Sequence, residues 1–251
     1  PMANIGKMQN QGWDLSVNDR LKTGAFTHNF NFNLGDSWNK VLEFPGDEQI
    51  TQVEELSRII RVGVPLNSYY GYKMAGFFQS YDEIEASAIP VGAKVQPGDI
   101  KFVDRNDDGI IDSKDKFILG NAFPRYTFGF TYGLNWKGID FSMFWQGVGK
   151  RDMMLRGELI EPYHANYSYT IYKHQLDFWT PTNTEARWPR LAAPGSDSNR
   201  NNYGNGNGSD LFLLDGKYLR LKNLTIGYTL PKEWTKHLGM QKARLYINGQ
   251  N

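Results

Sequence analysis

The most regular feature of the chain is a strict alternation of apolar and polar positions between residues 126 and 146. Tyr126, Phe128, Phe130, Tyr132, Leu134 and Trp136 share one parity, and Thr127, Gly129, Thr131, Gly133 and Asn135 the other. Successive side chains of a strand point to opposite faces, so the pattern predicts a β-strand with one greasy face and one small, polar face. Lys137-Gly138 then supplies a two-residue hairpin turn, with glycine where a positive φ is tolerated. In the returning strand Ile139, Phe141, Met143 and Trp145 alternate with Asp140, Ser142, Phe144 and Gln146, and only Phe144 breaks the pattern. Pairing Trp136 with Ile139 puts Leu134 opposite Phe141, Tyr132 opposite Met143 and Phe130 opposite Trp145, which keeps the apolar residues on one side.

Two further pairs follow the same rule. Near the start Trp13, Leu15 and Val17 alternate with Asp14, Ser16 and Asn18; a turn is expected around Arg20 to Thr23, before Phe26, Phe30 and Phe32 with Asn29 and Asn31. Near the end Leu224, Ile226, Tyr228 and Leu230 alternate with Asn223, Thr225, Gly227 and Thr229. Pro231 to Gly239 is predicted to form one or two helical turns before Ala243, Leu245 and Ile247. The stretches at about 79 to 122 and 149 to 210 lack sustained alternation and read as long loops, with Asn201 to Ser209 the most flexible.

Eleven residues from 126 to 136 match the roughly 9–11 that a tilted strand needs to cross a hydrocarbon layer. Long loops on one rim and short turns on the other are ordinary for outer-membrane barrels and improbable in a compact soluble domain. Alternation alone is equally compatible with a soluble β-sandwich that buries one face of each sheet.

Composition narrows the field. Lys and Arg (28) against Asp and Glu (27) leave a net charge of +1, far from the basic excess that attracts phosphate backbones, so no nucleic-acid partner is expected. The absence of cysteine removes disulfides, thiol nucleophiles and cysteine-ligated zinc. A mean hydropathy of −0.56 and the lack of an apolar run near 18 residues exclude a membrane-spanning helix but not a barrel, whose wall needs only alternate apolar residues. The 26 Gly and 11 Pro favour short strands joined by turns. Pro1 to Asn10 carry no leader-peptide pattern.

The sharpest chemical pattern is Asp104-Arg105-Asn106-Asp107-Asp108-Gly109-Ile110-Ile111-Asp112, continuing to Asp115. Calcium takes 6–8 oxygens, and side-chain oxygens at loop positions 1, 3 and 5 with glycine at 6 let one segment wrap the ion. Asp104, Asn106 and Asp108 hold those three positions. Ile110 offers its carbonyl at position 7, Asp112 acts at position 9, and Asp115 replaces the usual bidentate Glu at position 12. A structural Ca²⁺ bracing a loop is therefore expected; the bland alternative is a solvated acidic turn.

Enzymatic patterns are weak. His28, His164, His174 and His237 are scattered and read as surface or lumen residues, and Glu158 with Glu161, or Glu54 with Glu55, read as solvated charges. No phosphate-binding or nucleophile motif is present, so no enzyme is expected. Tyr69, Tyr70, Tyr72, Phe77, Phe78, Tyr163, Tyr167, Tyr169, Trp179 and Trp188 are candidates for stacking on sugar rings, or for packing the loops themselves.

Several further segments form an ordered series. Arg61-Val62-Gly63-Val64-Pro65 with Tyr69-Tyr70-Gly71-Tyr72 and Gly76-Phe77-Phe78 comes first, then Pro97-Gly98-Asp99-Ile100-Lys101-Phe102 ahead of the acidic loop. Ile118-Leu119-Gly120-Asn121, Pro124-Arg125-Tyr126-Thr127-Phe128-Gly129, Gly138-Ile139-Asp140 and Gln146-Gly147-Val148-Gly149 follow. Asp177-Phe178-Trp179-Thr180-Pro181-Thr182-Asn183 and the run Tyr218 to Pro231 complete the series. In this order the segments resemble the SusC/RagA family of TonB-dependent outer-membrane transporters.

The resemblance implies an all-β fold: an antiparallel transmembrane β-barrel, partial, with long extracellular loops. Residues 1–251 are expected to be the C-terminal part of such a barrel, without a plug domain and with an incomplete wall. It further implies residence in the cell outer membrane and energy-coupled import of oligosaccharides or peptides. The implied partners are a SusD-like surface lipoprotein, outer-membrane lipid, and TonB through parts of the protein absent from this chain. The rivals are a soluble calcium-dependent carbohydrate-binding β-sandwich and a glycan-processing enzyme.

Overall fold

The computed structural model describes residues 6–46, 48–53, 56–157, 159–162, 171–204, 208–237 and 239–251. In chain order the first strands are β1 (Lys7–Thr23), β2 (Phe26–Glu43), β3 (Glu48–Val53), β4 (Leu56–Arg61), β5 (Ser68–Gly71) and β6 (Met74–Phe77). Helix α1 (Tyr81–Glu85), β7 (Ile89–Pro90), β8 (Ile100–Phe102), β9 (Ile110–Ile111), a 3-10 turn at Ser113–Asp115 and β10 (Phe117–Gly120) come next. The chain continues through β11 (Arg125–Trp136), β12 (Ile139–Lys150), β13 (Asp152–Met154), α2 (Asp197–Tyr203) and β14 (Leu213–Asp215). It closes with β15 (Tyr218–Thr229), α3 (Lys232–His237) and β16 (Arg244–Gln250).

Two compact units share the chain. One, built from residues 10–38, 123–151 and 215–251, is a six-stranded sheet in the order β1-β2-β11-β12-β15-β16. Its register matches the sequence expectation: Trp136 pairs with Ile139, Leu134 with Phe141, Tyr132 with Met143 and Phe130 with Trp145. Lys137 and Gly138 both have positive φ (43° and 87°), the twist that joins antiparallel strands through two residues. The first turn differs from expectation. β1 runs on through Arg20 to Thr23 and reverses at Gly24-Ala25, where Gly24 supplies φ 61° with open space around its α-carbon.

Two departures from regular alternation explain sequence features that periodicity leaves open. Phe144 pairs with Asn223 but Trp145 with Leu221, so β15 carries one extra residue, Lys222, at a bulge. The bulge re-phases the strand: Leu219 and Leu221 before it, and Leu224, Ile226 and Tyr228 after it, remain on one face although their parity changes. Tyr126 sits at φ 54°, so regular alternation in β11 starts one turn of the pleat later, at Phe128.

The second unit comprises residues 1–9, 39–122 and 152–214. It holds the four-stranded sheet β10-β5-β4-β3, three two-stranded pairings (β13 with β14, β6 with β8, β7 with β9), and helices α1 and α2. Its core includes Tyr72, Phe77, Ile100, Phe102, Trp179, Trp188, Tyr203, Leu211 and Phe212. The segments read as long loops thus fold around a dry centre of their own. Their residues are too irregularly spaced for periodicity to reveal this, because short strands and turns draw the core from many separate places.

Candidate functional site

The sheet has two chemically distinct faces. On one, Phe26 stacks on Trp136 (centroids 5.5 Å apart, 9° between planes), Phe30 tilts against Tyr132 at 5.1 Å, and Phe32, Phe128, Phe130, Trp145 and Leu219 line a shared apolar hollow. Phe128 also covers Gly147: a Cβ there would lie 2.2 Å from its ring edge, so the glycine of the Gln146-Gly147 motif is the seat of an aromatic side chain. Of the two places expected for His28, surface or lumen, it lies on this outer apolar face and not with the polar one: it stacks with Phe26 and Phe30 and shares a 2.9 Å hydrogen bond with the Tyr132 hydroxyl. A polar tip within an aromatic cluster near a turn is the composition of a membrane–water interface.

The opposite face is small and polar. Asn29, Asn31 and Asn33 of β2 pair with Gly133, Thr131 and Gly129 of β11, and Asn31 donates to the Asn18 side chain. Asn248 donates to Thr225 (2.9 Å), which donates to Asn223 (3.1 Å), and Arg244 is paired with Asp140 over Gly227. Phe144, the exception in the pattern, lies over Gly129, where a Cβ would meet its ring at 3.3 Å. Within this unit the described residues form no second sheet. Large apolar side chains therefore stay open on the greasy face: Ile226 is 53% exposed and Leu219 61%. A β-sandwich would bury exactly such a face, so to speak its core, whereas a lipid-facing wall leaves it bare.

In the second unit the motifs interlock. Gly98 has φ 89°, and a Cβ on it would stand 2.3 Å from the Trp179 ring, which ties the Pro97-Gly98-Asp99 turn to the Asp177-Phe178-Trp179 motif. Asp99 is fully buried and accepts from the Gln96 amide (2.8 Å), the Ser198 hydroxyl (2.7 Å) and the Asn202 side chain (3.1 Å). Burial raises its pKa, and these donors act in the opposite direction. Asn202 accepts from the Ile100 amide (2.8 Å), and Asn201 donates to the Ile100 carbonyl (3.1 Å). Asn201, Asn202 and Ser209 are thus buried, and Asn201 to Tyr203 are helical, where a flexible loop was expected; residues 205–207 of that stretch lie outside the described residues. The asparagines are needed because buried backbone groups must be paired, a demand invisible in a run of polar residues.

The aromatic candidates resolve similarly. Tyr69, Tyr70, Tyr72, Phe77, Phe78, Trp179 and Trp188 are all buried, so they pack the unit and present no ring to solvent; Tyr163, Tyr167 and Tyr169 lie outside the described residues. Glu161 is not a solvated charge: it is buried against Arg156, with Nε 2.8 and 3.0 Å from its two oxygens, and the guanidinium lies 3.7 Å from the Phe212 ring centroid. Glu54, Glu55, Glu158 and His164 lie outside the described residues.

The acidic loop wraps on itself. Asp107 (φ 56°) and Gly109 (φ 80°) reverse the chain, and the Gly109 amide donates to Asp104 Oδ2 at 2.8 Å. Asp108 accepts from the Ile110 amide (3.0 Å) and from Asn106 (2.8 Å). Asp112 caps the 3-10 turn through the Lys114 amide (2.7 Å), a bond that lowers its pKa, and the Lys114 ammonium lies 3.3 Å from its carboxylate. Asp115 is fully buried and accepts from the amides of Arg105 (2.9 Å) and Asp112 (2.7 Å), which braces the loop. Asp104 Oδ1 is buried without a hydrogen-bond partner. The donors are hard oxygens of the kind calcium takes, and this orphaned oxygen is the atom a cation would meet. Among the described residues no three carboxylates or histidines converge on one point, so Asn106, the Ile110 carbonyl and water would complete the shell.

No family model matches the chain. Similarity along the whole of this chain decides its relationship. It is 32% identical over 259 residues to TonB-dependent receptor P3 of Formosa agariphila, covering 100% of this chain and 24% of that protein. The chain is a homologue of TonB-dependent receptors. It is 28% identical over 261 residues to TonB-dependent receptor SusC of Bacteroides thetaiotaomicron, covering 99% of this chain and 23% of SusC. A solved structure of the RagAB peptide transporter superposes with a TM-score of 0.70 at 19% identity, over 98% of this chain and 25% of that one. The chain spans about a quarter of the length of the curated relatives it matches. The fold is that of the family: antiparallel strands of a transmembrane barrel wall, few helices, and no helix among the described residues long and apolar enough to cross a membrane.

Proposed function

We propose that the chain supplies wall strands and extracellular loops to an outer-membrane, TonB-dependent importer of oligosaccharides that works with a SusD-like surface lipoprotein. The reading rests on the two-faced sheet. Aromatic and aliphatic side chains on one side suit acyl chains, and an Asn/Thr/Gly surface on the other suits a watery interior. The chain's part is to hold that wall; coupling to TonB belongs to segments outside it. The test is uptake of labelled oligosaccharides by cells carrying the full receptor, compared with cells lacking the receptor or TonB. Uptake is expected to disappear in both deletions. Peptide uptake in place of oligosaccharide uptake would reassign the cargo, and uptake indifferent to TonB would overturn energy coupling.

Within the same reading the acidic loop binds a structural Ca²⁺ through Asp104, Asn106, Asp108, the Ile110 carbonyl and Asp112, with Asp115 holding the loop ends together. The orphaned Asp104 oxygen supports this. Titration calorimetry of the receptor with calcium is expected to show binding that is lost in Asp104→Ala and in Asp108→Ala; equal heats in all three proteins would discard the ion.

A further inference from the structure

Three connections lie at one end of the six-stranded sheet: the Gly24-Ala25 turn, the Lys137-Gly138 turn and the α3 segment. Phe26 pairs with Trp136 and Ile139 with Tyr228, which brings these ends together. In a barrel, the short-turn end is the periplasmic one. The composition of this end is distinctive. Residues 231–243 carry Lys232, Lys236 and Lys242 against one carboxylate, Glu233, and Lys137 adds a further cation from the neighbouring turn. Lys137, Lys232 and Lys236 are exposed and form no ion pair with a described carboxylate. Trp234, on α3 among them, is 60% exposed, although Thr235 beside it is buried. Lys137 lies 5.6 Å from the Trp136 ring centroid, a cation set directly above an aromatic residue of the greasy face.

Indole rings prefer the boundary between headgroups and acyl chains, and lysines beside it attract anionic lipid. Exposed tryptophan and unpaired lysines have no evident role in a turn that faces only water. We propose that this end of the sheet is a collar for anionic phospholipid headgroups of the periplasmic leaflet, with Trp234 seated in the interface and Lys137, Lys232 and Lys236 binding phosphate. The inference rests on the reading that the sheet crosses an outer membrane.

The test uses a full-length receptor carrying this chain, in phosphatidylcholine nanodiscs with or without phosphatidylglycerol. Native mass spectrometry reads retained phosphatidylglycerol. Each lysine near an anionic surface contributes about a factor of five in affinity, so the triple variant Lys137→Ser/Lys232→Ser/Lys236→Ser is expected to bind this lipid on the order of a hundredfold more weakly. A headgroup nitroxide lipid is expected to quench a smaller fraction of tryptophan emission in Trp234→Phe than in the wild type. Equal phosphatidylglycerol retention, or equal fractional quenching, overturns the collar. Co-flotation with phosphatidylcholine vesicles separates the two ideas and checks that the variants fold. A wild type that does not float sinks the membrane reading, whereas one that floats without preferring phosphatidylglycerol sinks only the collar.

Discussion

Glu161→Gln is expected to destabilise the loop-bearing unit by about 3–5 kcal/mol, because it leaves the Arg156 guanidinium charged in a site closed to water. The two side chains are 0% and 3% exposed, and the Arg156 Nη2 to Glu161 Oε1 distance is 2.8 Å. The Phe212 ring covers the guanidinium, and the Tyr203 hydroxyl is buried with no hydrogen-bond partner, its pKa raised chiefly by burial and further by the Glu161 charge. Removing both charges is a different experiment. Arg156→Met with Glu161→Leu is expected to recover most of the loss, since well-packed apolar groups replace buried ion pairs at little cost. Hydrogen exchange of Leu211 to Asp215, whose strand pairs with β13, reads the change in the full receptor. Protection that stays at the wild-type level in Glu161→Gln would show the pair to be incidental.

Phe130→Arg in the full receptor is expected to cost about 2–4 kcal/mol of stability in the membrane. Phe130 precedes Trp136 by six residues in β11 and pairs with Phe32 and Trp145 on the greasy face. At about 3.3 Å per residue and a tilt near 40°, it lies roughly 15 Å along the membrane normal from the aromatic cluster at the turn, close to the midplane. Thr131→Arg, one residue along on the polar face, is expected to be far milder, because its guanidinium would meet water and asparagines. Urea unfolding from liposomes measures both. A milder loss for Phe130→Arg than for Thr131→Arg would invert the assignment of the faces.

How far the chain can be read without a structure depends on the range of the interactions. The β11–β12 hairpin is legible residue by residue because its information is local: parity assigns the face, Lys137-Gly138 assigns the turn, and the two together leave one register. The β15 bulge is half legible, since the shift from Leu219 and Leu221 to Leu224, Ile226 and Tyr228 is written in the sequence, but its meaning appears only when β12 is laid alongside. The side taken by His28 is open in the sequence: its stacking partners Phe26 and Phe30 are near, but Tyr132, which satisfies its ring nitrogen, is 104 residues away. Asn201 and Asn202 have the composition of a loop tip, and nothing local shows that Asp99 and Ile100 need them.

The chain read alone carries the two-faced strands, the Lys137-Gly138 turn and the resemblance to TonB-dependent receptors, because side-chain parity and ordered motifs survive without any knowledge of contacts. Only the tertiary structure decided that residues 39–122 and 152–214 enclose a core, that Glu161 is buried on Arg156, and that the candidate sugar-stacking rings are interior. The core depends on groups paired across about a hundred residues of chain, as Ile100 with Asn202, and the Arg156–Glu161 pair, though only five residues apart, is sealed by the distant Phe212 ring. Burial, unlike alternation, is a property of what comes to lie alongside.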